Sequence, residues 1–203
     1  MISIIDYRAG NLRSVERALR HLNIECRITD RREDILDAER VIFPGVGAAG
    51  KAMETIRSLG LDQVMQEVIQ RGTPFLGICL GTQIILESSD EDNARCLGFI
   101  PGRVRRFAAM PEKIPHMGWN NLDIVRGHPI LEGIDPDAQF YFVHSYYAEP
   151  EEKDSIVAST TYGIEFASVI AKGSIAATQF HPEKSGSSGL RILENFSRWD
   201  GSV

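Results

Sequence analysis

Hydrophobic and polar positions along the first half of the chain repeat an order of strand followed by helix. Short apolar runs predict buried strands at residues 2–5, 24–29, 40–43 and 73–78. Residues 12–22 place leucine and valine side chains on one face of a helix with Asn11 as its N-cap, and residues 51–70 form a helical region broken near Gly60. Residues 7–11 are predicted to form the first strand-to-helix turn. This alternation predicts a parallel sheet covered by helices on both faces, with ligands at the carboxyl ends of the strands.

After about residue 97 the apolar runs become shorter, partly alternate with polar positions and are separated by turn residues. They predict strands at residues 99–107, 122–125, 140–143, 156–161, 166–170 and 175–179. An amphipathic helix over residues 189–199 closes the chain. The expected fold class is therefore α/β, a three-layer α/β/α arrangement whose central sheet is mostly parallel and carries an antiparallel extension.

Length, charge and cysteine usage narrow the kinds of partner. The 203 residues can form one substantial core and show no linker or repeat, so a single domain over residues 1–203 is expected. The formal net charge is -6, and no basic cluster mixed with aromatics points to nucleic acid. No apolar run is long enough for a membrane span, and no signal peptide is recognisable. Three widely spaced cysteines fit neither a disulfide framework nor a zinc site. We expect a soluble cytoplasmic protein with a small substrate and no metal.

Cys79 lies at a corner between an apolar strand and a buried helix. Residues 73–78 end at this thiol, residues 80–86 begin the helix, and Gly77 and Gly81 flank it at equal distance. Such a strained corner resembles a nucleophile elbow, and the helix N-terminus beyond it favours a thiolate and offers N–H groups to an oxyanion. We interpret Cys79 as a nucleophile. A buried core cysteine and a phosphate-binding loop are the alternatives at this point.

A cysteine nucleophile is usually activated by a histidine that a third polar group orients. The segment His-Pro-Glu at residues 181–183 supplies both, because Pro182 favours an extended conformation at His181 and Glu183 can reach back to the imidazole. The alternative is a loop histidine followed by an ordinary surface carboxylate.

The remaining histidines are weaker candidates for the base. His116 and His144 lie among aromatics without a carboxylate within two residues, which favours structural or substrate-contacting roles. His21 and His128 are expected to be solvated. None of the histidines is spaced as metal ligands would be.

The Pro-Gly-Val-Gly segment at residues 44–47 follows the third predicted strand. It could bind phosphate, but the residues after it complete neither a P-loop nor a dinucleotide fingerprint. A loop that approaches the substrate closely and gives backbone N–H groups to an oxyanion is the better interpretation.

Residues 44–47, 77–83 and 180–183, in this order and separation, together resemble the class-I (triad) glutamine amidotransferases. Within that family, segments 5–7, 10–12, 114–120, 141–146 and 180–185 look like the glutaminase subunits of imidazole glycerol phosphate synthases. The resemblance covers nearly the whole chain. Glutaminases of anthranilate and GMP synthesis share the elbow and His-Pro-Glu but not His-Met-Gly-Trp-Asn. Thr82 departs from the pattern, since methionine is common there. The resemblance implies a flavodoxin-like fold.

The resemblance also implies a reaction. Cys79 would attack the side-chain amide of glutamine with His181 as base and then acid and Glu183 as its orienter, and water would hydrolyse the resulting thioester to glutamate. No cofactor is implied. The oxyanion would be held by the N–H of Leu80 and one from the Val46 and Gly47 loop. The residues expected to border the bound glutamine are Gly47, Gln83, His144, Ser145 and Tyr146.

The ammonia would pass to a separate cyclase subunit of the (βα)8-barrel type, with which the chain would form a heterodimer. That subunit would make imidazole glycerol phosphate and an aminoimidazole carboxamide ribonucleotide. Asn11, Trp119 and Tyr141 are expected near this partner. A triad glutaminase serving another synthetase, and a non-catalytic binding module of the same fold, are the alternatives; the complete Cys, His and Glu set argues against the second.

Overall fold

The computed structural model describes residues 1–8 and 11–202, and it confirms the three-layer α/β/α fold class expected from the sequence. Ala9 and Gly10, in the turn predicted at residues 7–11, lie outside the described residues. The helices are α1 (Leu12–His21), α2 (Arg32–Leu36), α3 (Ala49–Ser58), α4 (Leu61–Gln70), α5 (Leu80–Ile84) and α6 (Gly186–Arg198). The strands are β1 (Ile2–Ile5), β2 (Cys26–Thr29), β3 (Arg40–Gly45), β4 (Phe75–Cys79), β5 (Ser88–Ser89), β6 (Ala94–Arg95), β7 (Gly102–Arg106), β8 (His116–Asn121), β9 (Asp123–Ile124), β10 (Gln139–His144), β11 (Tyr146–Pro150), β12 (Ile156–Tyr162), β13 (Ile164–Lys172) and β14 (Ile175–Thr178).

The central sheet is built on parallel strands in the order β2-β1-β3-β4-β14. Side chains of β1, β4 and β14 are buried throughout, which explains why these strands are continuous apolar runs rather than alternating ones. Beyond β14 the sheet continues through antiparallel pairs to β13, β11 and β7, and β12 also pairs with β13. The predicted antiparallel extension is therefore confirmed.

Helices cover both faces of this sheet. On one face, α1 and α6 bury Leu19 and Phe196 against the sheet, and on the other face α3 and α4 bury Met53 and Met65. The predicted break near Gly60 is confirmed, since α3 and α4 meet at this residue, whose φ of +68° suits glycine. None of the helices described here is long and apolar enough to cross a lipid bilayer.

Strands β8 and β10 form a separate antiparallel ribbon. Its side chains alternate, so that His116 and Phe142 point inward and are buried while Met117 and Trp119 point outward with 61% and 53% of their surface exposed. The outward side chains, which we call the ribbon face, are Met117, Trp119, Asn121, Gln139, Tyr141 and Val143.

Asn11 is the N-cap residue of α1, as predicted, but its side chain makes no capping hydrogen bond and instead donates to the Glu183 carboxylate. One of the expectations about the histidines is wrong. His128, which the sequence predicts to be solvated, is buried, whereas His21 is exposed as expected. The His128 Nδ1 accepts a hydrogen bond from the Ile130 N–H at 3.2 Å, and its ring packs edge-on against Trp199.

Candidate active site

The candidate site lies where β3, β4 and β14 end. These strands are adjacent and parallel, so the chain segments that follow them leave the same edge of the sheet. Those segments are the Pro-Gly-Val-Gly loop, the turn at Cys79 and the stretch that contains His181. The three elements selected from the sequence are thus brought together by the topology of the parallel strands.

Cys79 ends β4 with φ of 54° and ψ of -103°, and α5 begins at the next residue. A positive φ is costly for a residue with a β-carbon, and strain of this kind is typical of a nucleophile elbow. The turn is tight because glycines let α5 approach β3: a β-carbon on Gly81 would overlap the Phe43 carbonyl oxygen, and one on Gly45 would lie 2.7 Å from the Leu80 β-carbon.

His181 and Glu183 form a buried pair. The His181 Nδ1 lies 2.8 Å from the Glu183 Oε1, and both side chains are 1% exposed. The Asn11 amide donates to the same carboxylate oxygen at 3.0 Å. The His181 backbone is held as well, since the Ser185 hydroxyl donates to its carbonyl oxygen at 2.7 Å and its N–H donates to the Tyr141 carbonyl at 2.9 Å. Glu183 therefore fixes the ring orientation, as a carboxylate that orients a catalytic histidine must.

The electrostatics of the pair favour a protonated imidazole. Burial by itself would lower the pKa of His181, but its interactions with Cys79 and with Glu183 outweigh burial and raise that pKa above its ordinary value. Within the described chain, the buried His181 Nε2 makes no hydrogen bond of standard geometry. Nε2 is therefore the nitrogen that can take a proton from the thiol of Cys79.

A cavity of about 380 Å³ opens in front of Cys79. Its walls contain all the residues expected to border glutamine and both sides of the expected oxyanion site. The lining residues are Val46, Gly47, Cys79, Leu80, Gln83, Glu91, Pro115, Val143, His144, Ser145, Tyr146 and His181. The cavity is thus in the right place for the predicted roles, which remain predictions.

The loop after β3 is tied to Tyr7. The Val46 N–H donates to the Tyr7 hydroxyl, and that hydroxyl donates to the Val46 carbonyl oxygen, each at 3.2 Å. The Tyr7 ring stacks on Phe43. Burial raises the pKa of Tyr7 to about 12; the hydrogen bond with Val46 acts to lower this pKa, and the nearby charge of Cys79 acts to raise it. Because the Val46 N–H is already used, Gly47 and Leu80 are the candidate oxyanion donors in this conformation.

Two polar residues of the site, Gln179 and Glu91, were not predicted from the sequence. The Gln179 side-chain amide donates to the Cys79 Sγ at 3.9 Å, and Glu91 lines the cavity while accepting from the Ala49 N–H at 2.7 Å. Gln179 had a detectable signal in its position, since it lies two residues before His181 and directly after the end of β14. Glu91 lies in an irregular turn, for which the sequence gives no periodic signal.

The residues expected near a partner separate into two groups. Trp119 and Tyr141 lie together on the ribbon face, with ring centroids 6.0 Å apart, and the Lys184 ammonium lies 5.9 Å from the Tyr141 ring. Asn11 instead contacts the Glu183 carboxylate. A partner that reaches Asn11 would thus lie directly beside the triad.

Comparison with known proteins shows what the chain resembles. Residues 3–198 match the family model described as glutamine amidotransferase class-I. The chain is 51% identical to imidazole glycerol phosphate synthase subunit HisH of Desulfovibrio desulfuricans, over 97% of this chain and 93% of that protein. It is 48% identical to the subunit of the same name from Chloroflexus aurantiacus, over 100% and 98%.

Solved structures support the fold. One is described as a crystal structure of glutamine amidotransferase, with a TM-score of 0.75 at 19% identity over 96% of this chain and 98% of that one. Another is described as the structure of PurLQS from Thermotoga maritima, with a TM-score of 0.70 at 14% identity over 96% of this chain and 96% of that one.

Proposed function

Because the chain belongs to the class-I glutamine amidotransferases, and within them to the family of imidazole glycerol phosphate synthase subunit HisH, we propose that it is the glutaminase subunit of such a synthase. It hydrolyses glutamine to glutamate and ammonia through Cys79, His181 and Glu183. The observation that carries the proposal is the elbow thiol, which faces the same cavity as a histidine paired with a buried carboxylate.

The first half of the reaction makes a thioester. The Cys79 thiol gives its proton to the His181 Nε2, and the thiolate attacks the side-chain carbonyl carbon of glutamine. Negative charge develops on the former carbonyl oxygen and is stabilised by the N–H groups of Leu80 and Gly47, both residues of the cavity wall. When the tetrahedral intermediate collapses, His181 returns the proton to the departing nitrogen, and ammonia leaves.

The second half releases glutamate. A water molecule enters the position that ammonia has left, His181 takes one of its protons, and the hydroxide attacks the thioester carbonyl. Collapse of this second tetrahedral intermediate breaks the carbon–sulfur bond, and the proton on His181 returns to the sulfur. Glu183 accepts the hydrogen bond from the His181 Nδ1 and stabilises the imidazolium in both halves.

The charges around the cavity suit an amino acid. Glu91 places a carboxylate on the wall, which can pair with the α-ammonium group of glutamine. The same carboxylate holds the Ala49 N–H at the start of α3, directly after the Gly47 loop. Substrate binding at Glu91 would therefore act on the segment that carries one oxyanion donor.

The ammonia is used by a separate cyclase subunit in histidine biosynthesis, which forms imidazole glycerol phosphate and an aminoimidazole carboxamide ribonucleotide. The ribbon face supports the position of this partner, because it exposes Met117 and Trp119 beside Val143 of the cavity wall. We place the heterodimer in the cytoplasm, where unpaired cysteines such as those of this chain stay reduced.

The assignment is tested by Cys79→Ala in the complex with the cyclase subunit. Glutamine-dependent synthesis should be abolished while synthesis from added ammonium salt is retained, because only the glutamine reaction needs the thiol. The matched control is Cys26→Ala, which removes a thiol of β2 away from the cavity and should keep both activities. Glutamine-dependent activity in the Cys79→Ala complex would refute the proposed mechanism.

The destination of the ammonia needs its own experiment. The gene should restore growth without histidine to a bacterial strain that lacks this glutaminase subunit, and the Cys79→Ala gene should restore it only when ammonium is abundant. Failure of the intact gene, together with rescue of a strain that lacks the glutaminase of another synthetase, would favour the alternative partner.

A further inference from the structure

The orientation of the Gln179 side chain is determined by its neighbours. The Gln83 side chain lies 3.1 Å from the Tyr146 carbonyl oxygen, so the atom of Gln83 that faces this acceptor must be the amide nitrogen. The same nitrogen lies 3.4 Å from Gln179, which must therefore present its oxygen to it. The amide nitrogen of Gln179 is then the group that faces the Cys79 sulfur, at 3.9 Å.

The Tyr146 carbonyl oxygen is also bound by a pair of histidines, His144 and His116. The His144 Nδ1 lies 2.7 Å from this oxygen and must donate to it, which makes the His144 Nε2 an acceptor as long as the ring is neutral. The His116 Nδ1 lies 2.9 Å from that Nε2 and is therefore the donor. Burial lowers the pKa of His116 to about 4 and that of His144 to about 3, so both rings are neutral near pH 7.

This chain of hydrogen bonds begins with Asn120 as its first donor. Its amide nitrogen is identified by the Thr161 carbonyl oxygen at 3.0 Å, and the same nitrogen lies 3.4 Å from the His116 Nε2. Every hydrogen bond from Asn120 through the two histidines to the Tyr146 carbonyl thus runs in one direction. A flipped amide at Gln83 would bring two oxygens together at Tyr146, so this network admits one orientation of Gln179.

We propose that Gln179 is a catalytic hydrogen-bond donor to the Cys79 thiolate, and that Gln83, His144 and His116 are positioning residues that keep its amide nitrogen toward the sulfur. The proposal rests on the proposed function, since it concerns the same thiolate. When the thiol proton moves to the His181 Nε2, the sulfur gains a negative charge, and a hydrogen bond to a charged acceptor is stronger than one to a neutral acceptor. Gln179 therefore stabilises the thiolate more than the thiol.

The position of Gln179 is compatible with catalysis. Its side chain is completely buried and is absent from the cavity wall described above, so it approaches the sulfur from within the protein. The cavity side of the sulfur stays open for the carbonyl carbon of the substrate. A donor on the protein side can stabilise the nucleophile without blocking its line of attack.

Several ionisable groups surround the sulfur and must stay unchanged in a test. His181 and Tyr7 interact electrostatically with Cys79, and Glu183 is paired with His181. Glu91 and His144 face the same cavity. A neutral replacement of Gln179 leaves all five of these groups in place.

The test is Gln179→Met in the full chain, which removes the donor and keeps a similar volume. Alkylation of Cys79 by iodoacetamide is followed across pH by mass spectrometry of the peptide that contains it. We expect the rate at about pH 7 to fall roughly tenfold, and the rate at about pH 9 to change little, because the variant stabilises the thiolate less. The midpoint of the pH profile moves upward.

Thr178→Val is the matched control, because it changes the residue next to Gln179. It removes a buried hydrogen bond from the Thr178 hydroxyl to the Phe180 carbonyl oxygen, and that bond does not involve the sulfur. It should leave the alkylation profile in place. His116→Phe, whose ring can still stack on Phe142 and Tyr162, should move the profile in the same direction as Gln179→Met by a smaller amount.

An unchanged profile in a folded Gln179→Met chain, or an equal displacement in Thr178→Val, would overturn the proposal. Circular dichroism and the unfolding midpoint establish that each variant is folded. The readout needs no glutamine turnover. A wild-type chain that fails to hydrolyse glutamine would therefore count against the proposed function alone, and the alkylation profiles would still decide the role of Gln179.

Discussion

Backbone strain at one residue and contacts between buried side chains determine the geometry of this site. Cys79 holds a positive φ that costs of the order of 1–3 kcal/mol in a residue with a β-carbon. The corner at Cys79 and the pairing of His181 with Glu183 were predictable, because each lies in a short segment with a local pattern. The contact of Asn11 with Glu183 was not, since an asparagine before a helix predicts a cap and nothing local indicates a carboxylate far along the chain.

Buried neutral histidines give the chain an acid-sensitive stability. Burial lowers the pKa of His128, like that of His116, to about 4, with a smaller contribution from Arg126. Unfolded histidine titrates near 6.5, so at lower pH the unfolded chain binds protons that the folded chain does not. The stability that depends on His116 and His128 being neutral in the folded chain is therefore complete above about pH 6.5 and is lost as the pH falls toward about 4.

His128→Asn isolates one such contribution, since asparagine can still cap the turn at residues 129–131. Urea unfolding is measured at about pH 7 and about pH 5. Between these two conditions the free energy of unfolding should fall by about 2 kcal/mol more in the wild type than in the variant. In His21→Asn, a change at an exposed position, the free energy of unfolding should fall as much between the two pH values as in the wild type. Equal losses in the wild type and His128→Asn would contradict the prediction.

At the scale of elements, the hydrophobic pattern found the strands and helices that bury a continuous apolar surface. The bounds of β1 were predicted to the residue, and α1, α3 and α4 were found with small shifts at their ends. Helix α2 was missed because its sequence is short and charged, and Ile35 is its one buried residue. Strand β8 was missed because its inward positions carry histidine, glycine and asparagine in place of the apolar residues that define a strand pattern.

The close contact between α5 and β3 predicts a severe effect of Gly81→Ala. The added carbon would overlap the Phe43 carbonyl oxygen, so α5 must move away from β3 and carry Cys79 with it. We expect a loss of about 1–3 kcal/mol in the free energy of unfolding. A displacement of about 1 Å should also reduce glutamine turnover about a hundredfold.

Gly127→Ala is the control, because a β-carbon there meets no atom within 4 Å and the residue is exposed. Urea unfolding and a glutaminase assay in the presence of the cyclase subunit measure both effects. Wild-type turnover in Gly81→Ala would show that the elbow tolerates this displacement.

At the scale of the whole molecule, the sequence predicted where the site lies but not how its parts are joined. Parallel strands place the segments after β3, β4 and β14 at one edge, and this follows from topology alone. The hydrogen bond from Gln179 to Cys79 spans 100 residues, and that from Asn11 to Glu183 spans 172. Such contacts depend on the relative placement of strands and helices, about which a single sequence carries no periodic signal.

The exposed aromatic side chain on the ribbon face is predicted to anchor the partner subunit. Trp119→Ala should weaken binding of the cyclase subunit about tenfold or more, because exposed aromatic side chains are frequent anchors of interfaces. Val125→Ala removes an exposed apolar side chain outside the ribbon face and is the control. Titration with the cyclase, followed by the glutamine-dependent activity, measures the affinity. Equal affinities of the wild type and Trp119→Ala would exclude Trp119 as an anchor.

The two tryptophans of the chain lie in opposite surroundings, Trp119 on the ribbon face and Trp199 packed in the core against His128 and Phe196. Indole fluorescence shifts to longer wavelength in water and is quenched by dissolved iodide. The emission spectrum of the unlabelled protein therefore contains two separable signals. Loss of iodide quenching would report that the ribbon face has been covered, and a red shift of the protected component would report that the core has opened.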